Sequence, residues 1–253
     1  MVDSPQMYGR VKTCRDVLIY RLGERMLVVG CDSSGGVGPK PLDRVNVSGY
    51  VVGRYVARVA LMEVASTGAK PICLVNTSCV EPKPLGEEIL RGVRDEVEEA
   101  GLGPIIFTGS SEKNFQVQQT ATGVVVIGVA EEGQLRIGVS QSGDVIMALG
   151  RPYVGEEVVA HESEVADVQD LRMLLEDDSI HEVIPVGSKG IAHEATTIAQ
   201  DSHLTLKLQS TPNVDLNKSA GPSTVLLASA QTSAIKRLRK KLRKPISIVG
   251  HLN

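Results

Sequence analysis

The sequence has no tryptophan, two phenylalanines and only 3% aromatic residues in all. That scarcity argues against a module that reads single-stranded nucleic acid by stacking bases on aromatic platforms. A core must instead be built from Val, Leu, Ile and Ala, with 25 glycines to turn the chain, and such a composition suits α/β layers. None of the four cysteines, Cys14, Cys31, Cys73 and Cys79, belongs to a C-x-x-C pair or stands at zinc spacing from a histidine. They read as small thiols in a reducing compartment. No apolar run approaches the roughly 18–20 residues of a membrane-spanning helix. Residues 1–10 are polar and lack the apolar stretch of a secretory leader. The expected home is the cytoplasm, away from any membrane. A net charge of −3 supplies no field that would gather nucleic acid.

What is present is an alternation of apolar runs and amphipathic segments. Strands are predicted over 16–20, 26–31, 72–79, 105–108 and 122–130, with helices over 50–66 and 85–100. The helix over 50–66 is apolar nearly all round, so it is expected to pack on several sides. Residues 140–144, SQSGD, read as a hinge. After it come strands over 145–149, 182–186, 204–208, 224–229 and 246–251, and helices over 167–176, 189–200 (capped by Ser188) and 233–243. The pattern predicts an α/β (α+β) chain of mixed β-sheets packed with helices. It divides into an N-terminal domain over 1–140 and a C-terminal domain over 141–253.

Several segments could carry chemistry. In 31–43, CDSSGGVGPKPLD, a strand delivers Asp32 to the lip of a sheet. Ser33, Ser34, Gly35 and Gly36 then allow a ligand to approach the backbone. A carboxylate beside phosphate would act through Mg²⁺, which takes one or two carboxylates plus phosphate oxygens, and Asp43 could share it. Read alone, the segment also fits an ordinary Gly-rich turn; it is not a G-x-x-x-x-G-K-S/T loop. Glu63 is the sole carboxylate of an apolar helix, which calls for a salt bridge, for instance to Arg58, or a metal. Residues 108–115, TGSSEKNF, repeat the strand-to-small-residue pattern: Gly109, Ser110 and Ser111 precede Glu112. Lys189 opens a helix that could hold an anion. Residues 236–244, KRLRKKLRK, could touch nucleic acid, but the run also fits a solvated helix face, and the negative overall charge favours that reading.

In order, these segments resemble the AIR synthase (PurM-like) superfamily of ATP-using enzymes. An apolar strand ends in Asp32. A helix carries Glu63 ahead of Gly68-Ala69-Lys70-Pro71. A strand ends in Gly109-Ser110-Ser111-Glu112, where relatives often have Gly-Gly-Asp. The second half opens with Gly-Asp-Val-Ile-Met-Ala-Leu-Gly over 143–150. Within the superfamily, CDSSGGVG, ARVALMEV and TGSSEKNF look most like proteins identified as α-ribazole kinases. The resemblance implies a two-domain PurM-like fold whose N-terminal domain forms a homodimer. It also implies ATP and Mg²⁺ as cofactors and a nucleoside-like small-molecule substrate. Asp32, Asp43, Glu63 and Glu112 would be candidate metal ligands. Ser33, Ser34, Gly35, Gly36, Gly109, Ser110 and Ser111 would bind nucleotide, and Asp32, Arg58 and Lys189 would serve catalysis. The chain departs from relatives in having Ser33 beside Asp32, where they often have a second Asp. Two further readings stay open: another reaction of the superfamily, such as thiamine-monophosphate phosphorylation or an ATP-driven cyclisation, and a non-catalytic nucleotide-binding regulatory dimer.

Overall fold

A computed structural model describes residues 11–253; the polar segment 1–10 lies outside the described residues. The chain forms two sheets. The first half contributes β1 (Val11–Cys14), β2 (Val17–Leu22), β3 (Arg25–Gly35), α1 (Gly49–Ser66), β4 (Lys70–Ser78), α2 (Glu87–Ala100), β5 (Ile106–Ser111) and β6 (Ala121–Glu131). The strand order is β1-β2-β3-β6-β4-β5. All neighbours are antiparallel except β4 and β5. Two-residue turns join β1 to β2 and β2 to β3. Gly23 takes φ +64° in the second, and Arg15 takes φ 55° in the first, the left-handed backbone that short hairpins require.

One face of this sheet is covered by α1 and α2. The helices approach closely because two glycines stand at their crossing. A Cβ on Gly53 would lie 2.0 Å from the Ile89 carbonyl oxygen, and one on Gly92 would lie 2.1 Å from that of Tyr50. The other face has no covering element among the described residues. Its central row runs Leu18, Val29, Ile127, Cys73 and Ile106 across five strands.

The second half contributes β7 (Val145–Gly150), α3 (Glu156–Ala160), α4 (Val168–Leu175), β8 (Ile180–Pro185), α5 (Ile191–Asp201), β9 (Leu206–Leu208), β10 (Val225–Ala230), α6 (Ile235–Lys241) and β11 (Ile246–Leu252). These strands form an antiparallel sheet in the order β8-β10-β7-β11-β9. Every residue of β7 and of β10 is buried, as continuous apolar runs such as VIMALG demand.

Helix α1 explains its own composition. Fourteen of its 18 residues are buried: it packs against β3, β6 and α2 on one side and against β8 and α4 on the other. One continuous core therefore joins Val56, Leu61 and Val64 to Met147, Leu149, Val183 and Leu226. Its all-round apolarity serves this intramolecular core rather than a dimer contact.

Three local features differ from expectation. β3 does not stop at Cys31, because β6 continues the ladder beside it as far as the pair Gly35–Ala121. β5 likewise runs on through Ser111 alongside Ser78 of β4. Ser188 does not cap α5. Gly190 holds that position without a side-chain cap, and Lys189 lies outside the helix. No helix among the described residues is long and apolar enough to cross a membrane.

Candidate active site

A cleft of about 560 Å³ lies between the two halves, within the size range of small-molecule sites. Its polar end is built by β3. Alternation along the strand turns Val28, Gly30, Asp32 and Ser34 toward α1. Gly30 makes the next step possible, since a Cβ there would meet Val64 at 2.9 Å and Glu63 at 3.3 Å. Without one, α1 settles onto the strand and brings Glu63 into the same cleft as Asp32.

The edge of β3 is open at this point. β2 ends with Val17 opposite Gly30, so from Cys31 onward β3 has no neighbouring strand on that side, while β6 holds the other. Ser33, Ser34 and Gly35 line the cleft along this free edge, where backbone groups can meet a ligand. Gly36 does not line it; its N–H donates to the Thr120 carbonyl at 2.9 Å.

The β1–β2 turn delivers a third carboxylate, Asp16, to the cleft. Arg15 anchors that turn to the second half. Its guanidinium donates to Asp201 Oδ2 at 3.1 Å, to the Val183 carbonyl at 3.4 Å and to the buried Glu182 carboxylate. Glu182 also accepts from the Gly138 N–H at 2.9 Å and the Ser140 hydroxyl at 2.7 Å.

Burial raises the proton affinity of three carboxyls here, and neighbouring carboxylates add to it at Glu63 and Glu194. Burial pushes the Asp32 carboxyl up to about 6. Burial first, then the negative Asp16, hold Glu63 well above the usual carboxylate range. The same two causes lift Glu194, on α5, to about 7. Glu63 is only 7% exposed; its backbone carbonyl accepts from the Ser66 hydroxyl at 3.1 Å, but its carboxylate has no hydrogen-bond or ion-pair partner among the described residues. Asp16, Asp32 and Glu63 are the charged side chains among the described residues that line the cleft; no Lys, Arg or His does so. Among the described residues no group of three or more His, Cys, Asp and Glu side chains is placed to hold a metal ion. Two oxygen donors, Asp32 and Glu63, nonetheless fit Mg²⁺ completed by phosphate and water.

Other residues singled out in the sequence lie elsewhere. Asp43 is spent on its own loop. Oδ1 accepts from the Thr120 N–H at 2.8 Å, and Oδ2 accepts from the Thr120 hydroxyl at 2.7 Å and the Lys40 N–H at 2.8 Å. Glu112 folds back onto the N–H groups of Asn114 and Phe115, at 2.7 and 3.3 Å. Gly109, Ser110 and Ser111 sit on β5. The row Asp32, Val124, Asn76, Gly109 puts three strand spacings, about 14 Å, between Gly109 and Asp32. A Cβ on Gly109 would lie 2.3 Å from the Asn76 carbonyl oxygen, so tight strand packing accounts for that glycine. Arg58 is buried in an ion pair with Glu96 at 2.7 Å and stacks over Tyr55, 4.7 Å from the ring centroid; it does not line the cleft. Lys189 is exposed beside Ser188, which does. Sequence reasoning missed Asp16 and Glu194. A polar residue in a two-residue turn carries no functional signal, and Glu194 looks like any helical carboxylate.

The rest of the lining is largely apolar. It holds ten valines, including Val51, Val56 and Val59 of α1 and Val158 and Val159 of α3. The two halves approach each other in this lining, where a Cβ on Gly155 would come within 3.5 Å of Val45.

Residues 15–130 match the family described as AIR synthase related protein, N-terminal domain. Solved structures of similar fold include the HypE–HypF complex, with TM-score 0.66 and 19% identity over 93% of this chain and 86% of the other. Thiamine-monophosphate kinase from Stenotrophomonas maltophilia K279a has TM-score 0.61 and 16% identity, over 98% and 89%. The hydrogenase maturation protein HypE in complex with ATP has TM-score 0.63 and 14% identity, over 89% and 76%. No curated protein sequence matches the chain.

Proposed function

We propose that this chain, a member of the PurM-like AIR synthase superfamily, is an ATP-dependent small-molecule kinase. Its reaction would transfer the terminal phosphoryl group of ATP to the hydroxymethyl group of a nucleoside-like acceptor, with α-ribazole the leading candidate. The observation that carries this reading is the meeting of Asp32 and Glu63 in one cleft at the open edge of β3. Solved relatives of the fold include an ATP complex and a thiamine-monophosphate kinase.

Phosphoryl transfer asks a protein mainly to position two substrates and to balance charge. Asp32 and Glu63 would hold Mg²⁺, which neutralises phosphate charge when bound. Ser33, Ser34 and Gly35 would present backbone and hydroxyl groups to the phosphates along the free strand edge. Lys189, adjacent to Ser188 at the cleft, is a candidate for added positive charge. No side chain is assigned as general base. The proposed machinery does not include Asp43, Arg58, Gly109, Ser110, Ser111 or Glu112, none of which lines the cleft.

We further propose that the nucleotide-binding unit, residues 1–140, works as a homodimer. The support is the uncovered apolar row on the first sheet, since soluble proteins seldom leave such a patch without a partner. The kinase reading is tested by incubating the protein with ATP–Mg²⁺ and each acceptor while following ADP and phosphorylated product. α-Ribazole should give stoichiometric ADP and monophosphate, and Asp32→Ala should lower turnover by about three orders of magnitude or more. Absence of ADP above background with α-ribazole removes that substrate. ATP binding without turnover of any acceptor leaves the non-catalytic regulatory reading in its place.

A further inference from the structure

Residues 236–244, KRLRKKLRK, take no part in the cleft. They hold seven of the chain's 27 basic side chains and none of its 30 acidic ones. With 20 basic against 30 acidic side chains, the rest of the chain carries −10, so the net charge that favours a merely solvated face conceals a segregation of sign. Salt screens exposed charges beyond about 8 Å at physiological strength, whereas a chain of this length has a radius of gyration of about 18 Å. A ligand at α6 therefore meets the local cations more than the net charge. Three of the seven are engaged. Arg237 donates to Asp177 at 2.7 Å and to the Ser179 hydroxyl at 2.9 Å, Lys241 to the Met173 carbonyl at 3.4 Å, and Lys244 to the Glu162 carbonyl at 3.4 Å. Lys236, Arg239, Lys240 and Arg243 are exposed and have no hydrogen-bond or ion-pair partner among the described residues. The spacing of Lys236, Arg239 and Lys240 puts them on one face of α6, away from Leu238, which is buried in the core.

What this face can hold follows from what it lacks. Its apolar side chains, Leu238 and Leu242, are already in the core, and none of the exposed large apolar side chains among the described residues belongs to it. It has nothing to dip beneath lipid headgroups and no apolar centre of the kind a protein interface is built around. No aromatic residue lies in 231–244, so unpaired bases find no stacking platform. Four free cations, two of them arginines with the fork that matches phosphate oxygens, suit a dense row of phosphates, and a duplex presents one charge per roughly 1.7 Å of its axis. We propose that the exposed face of α6, with Arg243, is a docking surface for the phosphate backbone of double-stranded nucleic acid, held without regard to base sequence. The proposal does not depend on the kinase reading of the cleft.

The test is fluorescence anisotropy of labelled duplexes of roughly 20 base pairs, titrated with the whole chain across a salt series. Four phosphate contacts predict a slope of log affinity against log salt of about −3.6, hence binding about 150-fold weaker at roughly 200 mM than at 50 mM salt. Two duplexes of unrelated sequence should bind within about twofold of each other. The variant carrying Lys236→Gln, Arg239→Gln, Lys240→Gln and Arg243→Gln should lose at least about tenfold in affinity at 50 mM salt and most of the slope. Its substituted side chains are exposed, so it should fold, as circular dichroism and melting check. Arg239→Gln alone should reduce the slope by about 0.9, which keeps the test decisive should the fourfold variant misfold. The proposal is overturned if neither duplex binds at 50 mM salt, if affinity ignores salt, or if the variants bind as the wild type does. It is also overturned if a single strand, polyglutamate or phosphatidylserine vesicles bind more tightly than the duplex, since the face would then serve unpaired bases, an acidic protein or a bilayer.

Discussion

Asp32→Asn should make the ligand-free protein more stable while disabling it. Burial lifts the Asp32 carboxyl from 3.8 to about 6, which corresponds to roughly 3 kcal/mol against ionisation. Partial solvent access reduces that figure, so about 1–3 kcal/mol is expected at pH 7.5. The sign follows from proton counting. Between 3.8 and about 6 the native state keeps a proton that the unfolded chain has released. Native stability therefore falls as pH rises through that window, and the loss is complete above it. An amide cannot ionise, so the variant escapes the loss. For a chain of this length Tm should rise by about 2–10 °C at pH 7.5 without ligand. At pH 4, where the native carboxyl is already protonated, the gain should nearly vanish. Differential scanning calorimetry at both pH values, in metal-free buffer, decides the matter. A lower Tm at pH 7.5, or an equal gain at pH 4, would refute the account of Asp32 as a functional carboxylate held at a cost to stability. ADP production by the same variant should be lost at either pH.

Three other outcomes follow from the packing. Glu96→Gln removes the carboxylate shared by Arg58 at 2.7 Å and Arg54 at 2.5 Å, and should cost about 3–5 kcal/mol in urea unfolding because Arg58 is left buried and unpaired. Gly53→Ala drives a methyl group toward the Ile89 carbonyl oxygen. It should destabilise by about 3 kcal/mol or more despite alanine's better helix propensity, as read by the urea midpoint. Ile127→Asp, in the middle of the uncovered row, should convert the proposed dimer to a folded monomer by light scattering. An unchanged mass would reject that face as the contact.

Much of this architecture can be read from patterns that packing enforces. α1 and the buried strands β7 and β10 announce themselves because a segment covered on all sides must be apolar on all sides. The end of β3 was misjudged because glycine and serine read as loop, whereas the ladder with β6 carries them on as strand. The acidic residues were harder. Asp32 and Glu63 reach the cleft, but Asp43 and Glu112 do not, and a carboxylate that closes a turn has the same letter as one that meets a ligand. Arg58 illustrates the same limit. Its partner Glu96 stands 38 residues away on a different helix, and only the crossing at Gly53 and Gly92 brings them together. The valine lining of the cleft was invisible because each valine also fits a core.

The position of α1 between both sheets has a mechanical consequence. Glu63 and Val59 line the ligand cleft from the same rod that carries the load of the common core. The cleft therefore cannot open by swinging two independent bodies about the 140–144 hinge, because that motion would unseat α1 from one sheet or the other. Heat or denaturant should in turn meet one cooperative unit: a single unfolding transition, displaced as a whole when ligand binds, in place of two separate ones.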